Sequence, residues 1–316
     1  VTATAEAVVI GSHEDPHVEA ALKELRSRVV VVVDAASISE REFVLRDGSF
    51  TVGPGTESGE RLELDPTFRA QGWIRRLAPP DWQRGLVVDS HDAAVKTAWL
   101  SFLVAAIRTC AVNWLTDIDA LVTAENKLVQ HATARRLGLP TPETIVCSDA
   151  ATARAALGDH IILKALGTGH FYEGDESFVI YTTEVTPDGP ELGALATAPF
   201  IAQRQLRPRS HLRVVTVRDR LWAGGIKADD LPVDWRQDPG AHMSFEEVDP
   251  PNEVSRGARA LATELSLGYS SQDWLVCADG CFVVDVNPAG QWLFLPDSVS
   301  IGVTGAISNW LMGSLE

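Results

Sequence analysis

The run from Cys281 to Trp292, Cys-Phe-Val-Val-Asp-Val-Asn-Pro-Ala-Gly-Gln-Trp, constrains this chain more than any other stretch. It reads as a hydrophobic strand that ends with a carboxylate and a carboxamide two residues apart. Strand side chains alternate between faces, so Asp285 and Asn287 are expected on one side, with Val284 and Val286 entering a core on the other. Two oxygen donors of this kind suit magnesium far better than zinc. Pro288 stops the strand and so places the pair at an element end, beside a cleft. Taken alone, the same residues are an ordinary strand end whose polar groups cap a turn, so the rest of the chain has to decide.

With 316 residues the chain can build two or three compact units. A composition of 45% hydrophobic and 22% charged residues is that of a globular protein, not a disordered one. The formal charge of −16 argues against nucleic acid or an anionic membrane as partner, since phosphate polymers need a basic face. Any anionic ligand must be met by a local cluster of Arg and Lys. The apolar stretch Trp99 to Ile107 is bracketed by Lys96 and Arg108 and is too short to span a bilayer. Val1 to Gly11 show no basic region followed by a long apolar stretch, so no secretion signal is expected there. Four cysteines make no disulfide framework. Cys277 and Cys281 flank an Ala-Asp-Gly turn across which they could face each other, but no second pair accompanies them and no zinc site is expected. A reduced, cytoplasmic protein is the simplest reading.

Three segments follow from the pattern of breaks: 1–117, 118–199 and 200–316. In the first, Ala7 to Ile10, a helix opened by Asp15-Pro16, and Val29 to Val33 form a strand–helix–strand unit with parallel strands. Its Gly11-Ser12-His13 turn lacks the glycine spacing of a dinucleotide fingerprint. Phe43 to Val52 reads as a hairpin around Asp47-Gly48, Pro79-Pro80 breaks the chain, and a long helix runs from about Asp92 to Ala111. In the second, Asn126-Lys127 opens a helix that Gly138 ends. Strands follow at Thr144–Cys147 and Ile161–Lys164, then the loop Gly167-Thr168-Gly169-His170 and a return strand, Phe178–Thr183. The third holds strands Phe200–Leu206, Leu212–Val217 and Leu221–Ile226, a helix Val254–Leu267 stopped by Gly268, and a hairpin of Ser271–Cys277 with Cys281–Val286. The fold class is therefore mixed, α/β at the start and α+β beyond it.

Several residues carry a chemical reading. Lys164 leaves an aliphatic strand at a glycine loop, as a phosphate ligand would; a lone snorkelling lysine is the plain alternative. The loop itself is no P-loop, because no Gly-Lys-Ser/Thr follows. Basic residues crowd the stretch from Arg204 to Arg236 in this acidic chain. Arg213 and Lys227 fall within strands, where charge is costly unless it is paired or faces an anion, and Arg236 follows them. Asp273 lies in the strand that faces Asp285. The group His13, Glu14, Asp15 and His17 resembles a ligand cluster, but Asp15 caps a helix there. His131 and His160 are expected at the surface, and no Ser/His/Asp or Cys/His arrangement is convincing.

In this order the parts resemble the ATP-grasp superfamily: Asn126-Lys127, Lys164 with its glycine loop, Gln203-Arg204-Gln205-Leu206, then Asp273, Asp285 and Asn287. Finer details are similar to one branch, the macrocyclases of microviridin-like peptides (graspetides). They are Trp73 with Arg75-Arg76, Glu125-Asn126-Lys127, Gly138-Leu139-Pro140-Thr141-Pro142, Ile180-Tyr181-Thr182, His211-Leu212-Arg213-Val214, Asp234-Trp235-Arg236 and the run Asn287 to Trp292. The resemblance implies two lobes clasping ATP behind an N-terminal open α/β domain. It implies that Lys127 and Lys164 hold the α- and β-phosphates and that the backbone of Gln203, Arg204, Gln205 and Leu206 binds adenine. Asp273, Asp285 and Asn287 would ligate Mg²⁺, with Arg213, Lys227 and Arg236 near the γ-phosphate and the acceptor carboxylate. Two departures stand out. His211 replaces the acidic residue expected at the ribose hydroxyls, and Asp285 replaces a Glu. The implied activity is ATP-dependent joining of Asp/Glu side chains of a ribosomal precursor peptide, leader plus acidic core, to Thr/Ser hydroxyls or Lys amines. A stand-alone amino-acid or protein-tail ligase and a non-catalytic nucleotide-binding regulator are the alternatives. A homodimer stays open.

Overall fold

The computed structural model describes residues 2–25, 28–53, 61–67, 69–78, 82, 86–167, 169–174, 176–185 and 198–315. Pro79-Pro80 and Thr168 lie outside them. The first 117 residues build two sheets. Strands β1 (Thr2–Thr4), β2 (Ala7–Ile10), β3 (Val30–Val33), β4 (Phe43–Arg46), β5 (Ser49–Val52), β6 (Arg61–Leu64), β7 (Ala70–Ile74) and β8 (Val112–Trp114) are interleaved with helices α1 (Pro16–Lys23) and α2 (His91–Thr109). One sheet has the order β3-β2-β7-β8, with every pairing parallel; the other has the order β1-β6-β5-β4. The β4–β5 hairpin turns at Asp47 and Gly48, both at positive φ (48° and 82°), which is why an Asp-Gly pair sits there.

Helices α3 (Ile118–Ala124) and α4 (Lys127–Arg136) lead into the central unit, with strands β9 (Thr144–Cys147), β10 (Ile161–Ala165), β11 (His170–Glu173), β12 (Glu176–Val179), β13 (Thr183–Glu184) and β14 (Phe200–Arg204), and helix α5 (Ala150–Leu157). Asn126 caps α4, its side-chain oxygen accepting the N–H groups of Leu128 and Val129, and Gly138 terminates the turn beyond it at φ 69°. The central sheet has the order β13-β10-β14-β9. The strand at Phe200 thus belongs to this sheet, between β10 and β9, and the chain crosses into the last sheet only after Arg204. The stretch expected as a single return strand is split: β12 pairs with β11 as a two-stranded ribbon, and β13 pairs with β10.

The last part comprises β15 (Ser210–Val217), β16 (Arg220–Lys227), β17 (Glu246–Glu247), β18 (Tyr269–Cys277) and β19 (Gly280–Asn287), with α6 (Asn252–Glu264) and α7 (Asp297–Leu311). The sheet order is β17-β16-β15-β18-β19, antiparallel throughout. Period-2 alternation divides β15: Leu212 and Val214 join the core under α6, while Val215 and Val217 join the core shared with α7. That second core also takes in Val9, Val18 and Trp73 of the N-terminal sheet and α1, so α7 is packed between the two ends of the chain.

Strict alternation fails in β19. The register jumps between Asp273↔Asp285 and Trp274↔Val283, which leaves Val284 with no residue opposite it. The core residues are therefore Val283 and Val286, not Val284 and Val286, and Val284 turns to the cleft side with Asp285. The register also sets Cys281 opposite Val276 and Cys277 opposite Gly280, so the two cysteines do not face each other; all four cysteines are free thiols. Among the described residues no helix is long and apolar enough to cross a membrane.

One buried side chain ties α4 to this irregular strand. Gln130 donates to the carbonyls of Ala124 and Val286, each at 2.6 Å, and accepts the Val286 N–H at 3.0 Å. Gln130→Leu keeps the volume but strands these backbone groups away from water. We expect a loss of about 2–4 kcal/mol in denaturant unfolding; a loss below about 1 kcal/mol would mean that solvent replaces the bonds.

Candidate nucleotide and metal site

A cleft of about 290 Å³ opens between the central sheet and the C-terminal sheet. Lys127 reaches it from the first turn of α4 and Lys164 from β10. Lys164 is half-buried, and its Nζ donates to the Val284 carbonyl at 3.2 Å, the carbonyl of the bulged residue. Gln203 to Leu206 form the cleft wall where β14 leaves the central sheet, and His211 lines it from β15. Asp273 and Asp285 close the far side.

The carboxylates owe their placement to register. Arg213, Asp273 and Asp285 are direct partners across β15, β18 and β19, so they form one row on one face. Arg213 Nε lies 3.1 Å from Asp273 Oδ1, and its Nη1 donates to Ser271 Oγ at 3.2 Å. The guanidinium also lies over the rings of Trp235 and Phe294. Arg213 is thus buried behind Asp273 and does not line the cleft. Arg236 does line it, held by Asp234 through Nε at 2.8 Å and Nη2 at 2.6 Å. Lys227 stands elsewhere. It is exposed at the last position of β16, where solvent removes the cost that its place in a strand had suggested, and it is not among the cleft residues.

Electrostatics in the cleft is strained in a consistent direction. Burial, reinforced by Asp285 and opposed by Arg213 and Arg236, raises the Asp273 carboxyl above its ordinary range. Burial likewise depresses the Lys164 ammonium, with Lys127 adding to it and Asp285, Asp273 and Asp234 opposing it. His211 is pushed down by burial, with Asp234 working against the shift. A divalent cation at the carboxylates and an anion at the lysines would relieve the first two. Among the described residues no three His, Cys, Asp or Glu side chains gather for a metal, so a cation here needs amide, ligand or water oxygens besides the two carboxylates. Asn287, two residues beyond Asp285 on the same strand, is the amide nearest to it in sequence, but it is not among the cleft residues. It is exposed at the end of β19, opposite Ser271, with Oδ1 accepting the Ala289 N–H at 3.0 Å and one lone pair left over. The buried Gln203 offers a further fit: its Nε2 donates to Thr144 Oγ1, while its Oε1 has no partner. An orphan acceptor on the cleft wall suits a ligand that brings an N–H.

The helix-capping group at His17 also serves the site. Asp15 accepts the His17 N–H and ring Nδ1 at 2.9 and 2.8 Å, and its other oxygen is 3.1 Å from Arg75 Nε. Arg75 donates onward to the Ala289 carbonyl, and His17 Nε2 accepts the Trp292 N–H at 3.3 Å. The N-terminal sheet thereby holds the loop that follows Asn287. Two further residues take places that the sequence did not give them. His131 is half-buried in a small cavity beside Lys164, not at the surface, and Asp234 anchors Arg236. For Asp234 a signal existed, since Asp-x-Arg allows the carboxylate to accept the N–H two residues on.

No family model and no curated protein matches the chain. Solved structures do. A Chryseobacterium gregarium RiPP-associated ATP-grasp ligase, in complex with ADP and a leader and core peptide, is similar at TM-score 0.83 and 17% identity, over 98% of this chain and 97% of that one. The macrocyclase MdnC from Microcystis aeruginosa MRC, bound with precursor peptide MdnA, is similar at TM-score 0.80 and 19% identity, over 99% of this chain and 100% of that one. An ATP-grasp RimK domain protein from Sphaerobacter thermophilus follows at TM-score 0.57 and 16% identity, over 97% of this chain and 100% of that one. The chain has the ATP-grasp fold.

Proposed function

We propose that this chain is an ATP-dependent carboxylate ligase that closes Asp/Glu side chains of a ribosomal precursor peptide onto Thr/Ser hydroxyls or Lys amines. The observation that carries the reading is the convergence, in one cleft, of Lys127 and Lys164 with Asp273 and Asp285. The likeness to ligases solved with leader and core peptides supports a peptide as substrate. In this reading Lys127 and Lys164 hold the α- and β-phosphates, and the segment Gln203 to Leu206 holds adenine, with Gln203 Oε1 accepting an exocyclic N–H. Asp273, Asp285 and Asn287 hold Mg²⁺. His211, neutral at pH 7, meets a ribose hydroxyl where a carboxylate would otherwise accept it.

A carboxylate resists attack because its leaving group would be oxide; bound ATP supplies the phosphoryl group that makes that oxygen leave readily. The chain's own part is positioning and charge compensation. Arg236 presents a fixed cation to the cleft, and Arg213 favours the ionised form of Asp273 and holds it in place from behind. Lys227 lies outside the cleft, next in sequence to the cleft residue Ala228, and is in this reading an outer contact for an acidic core. Each ring formed removes one water from the peptide as ADP and phosphate leave. A ligase of free amino acids would turn over ATP without a leader, and a regulator would bind ATP with no acceptor-dependent ADP release.

Enzyme, ATP, Mg²⁺ and a precursor with its leader and a Thr- and Asp/Glu-containing core should therefore yield peptide lighter by one water per ring. An unchanged mass while nucleotide binds would rule out this substrate class. Asp285→Ala should lower turnover by at least about a hundredfold while leaving the unfolding midpoint nearly unchanged; full turnover in that variant would remove the metal assignment. The histidine makes a separate prediction. Its folded-state pKa lies below its unfolded value of about 6.5, so below that pH the unfolded chain binds the proton preferentially. Stability should then fall as the pH drops through the unfolded pKa, by at most about 1.4 kcal/mol per pH unit. His211→Gln should flatten this fall in denaturation curves between about pH 7.5 and 5; an identical slope would mean that His211 titrates freely.

A further inference from the structure

Asp234 serves two elements at once. It lies between β16 and β17, is 5% exposed, and has both oxygens engaged. Oδ1 accepts the Arg236 backbone N–H at 3.2 Å and Nε at 2.8 Å. Oδ2 accepts Arg236 Nη2 at 2.6 Å and, from the central unit, the Thr182 backbone N–H at 3.0 Å. Thr182 directly precedes β13, which pairs with β10, the strand of Lys164. One carboxylate therefore touches the segment that borders one phosphate-facing cation and the side chain of another.

The geometry of the fork matters more than its energy. An arginine half in solvent gains little stability from a carboxylate two residues away, but two parallel bonds fix the plane of the guanidinium. The fork consumes the Nε–Nη2 edge, so the Nη1 side is what remains for a second anion. Arg236 shares the cleft with Asp273 and Asp285. An anion that meets its free side there lies beside the carboxylate pair, where the nucleotide reading puts the terminal phosphate.

We propose that Asp234 is a positioning residue that aims Arg236 at the terminal phosphate and, through Thr182, ties that aim to the seating of the β10–β13 edge against the C-terminal sheet. The aim rests on the nucleotide reading above; the tether to Thr182 does not.

The test compares wild type, Asp234→Asn, Arg236→Ala and the double variant in the full chain. Calorimetric titration with Mg²⁺ and either ADP or a non-hydrolysable ATP analogue reads the aim. Hydrogen exchange at Thr182 reads the tether. Each single variant should weaken the analogue by about tenfold and ADP by less than about twofold, and the double variant should bind no more weakly than Arg236→Ala. The Thr182 amide should exchange at least about tenfold faster in Asp234→Asn and at the wild-type rate in Arg236→Ala. Thr182→Pro removes the N–H while leaving the Asp234 and Arg236 side chains in place, and serves should Asp234→Asn not fold; it should weaken the analogue in the same sense, and unchanged affinity would overturn the coupling. Equal losses for both nucleotides, additive losses in the double variant, or unchanged Thr182 exchange in Asp234→Asn would overturn the proposal. A wild-type chain that bound neither nucleotide would sink the nucleotide reading and the aim with it, whereas intact wild-type binding with additive losses would sink the positioning role alone.

Discussion

The row Arg213–Asp273–Asp285 is the constraint on which the site depends. Burial disfavours the Asp273 carboxylate, and the repulsion of Asp285 beside it on the adjacent strand adds to the cost. The arrangement holds because Arg213 sits behind Asp273 on a floor of aromatic rings, and because Arg236 and Lys164 approach from the cleft side. Removing Arg213 would cost more than its single bonds suggest, because Asp273 would be left behind without its compensating charge. The pair is therefore poised: compensated enough to fold, and not so fully that an added divalent cation would find nothing to relieve.

Around that row the fold acts as a set of clamps. Gln130 fixes α4 to β19, and so sets the approach of Lys127 to Asp285. Asp15, His17 and Arg75 fix the N-terminal sheet to the loop beyond Asn287, and Tyr269 reinforces it by donating to the Gly290 carbonyl at 2.9 Å. Helix α7 fills the space between the two ends of the chain. Residues far apart in sequence are thus held to the same few ångströms by buried polar contacts, which specify direction as apolar packing alone does not.

What the sequence revealed was what local physics decides. The Asn126 cap, the Gly138 stop, the Asp47-Gly48 turn and the closing hairpin all declare themselves within a few residues. What it concealed depends on pairing between distant segments. Phe200–Arg204 looks the same whether it begins the last sheet or completes the central one, and only its hydrogen bonds to β10 and β9 decide. Arg213 and Lys227 are alike as charges in strands, yet one is buried behind a carboxylate and the other sits in solvent at a strand end. The bulge at Val284 has no composition signal, and His131 reads as a surface group until Lys164 is placed beside it. The cleft residues were largely legible as types, and their division of labour was not.

The unpaired position in β19 has a consequence for how this lysine's anchor can vary. Lys164 is steadied by a main-chain oxygen, not by a side chain, and that oxygen is available because the ladder skips a rung there. Any L-amino acid at 284 offers the same oxygen. Substitution at this point is therefore silent toward the anchor, and only a deletion that restores an even ladder would take the acceptor away.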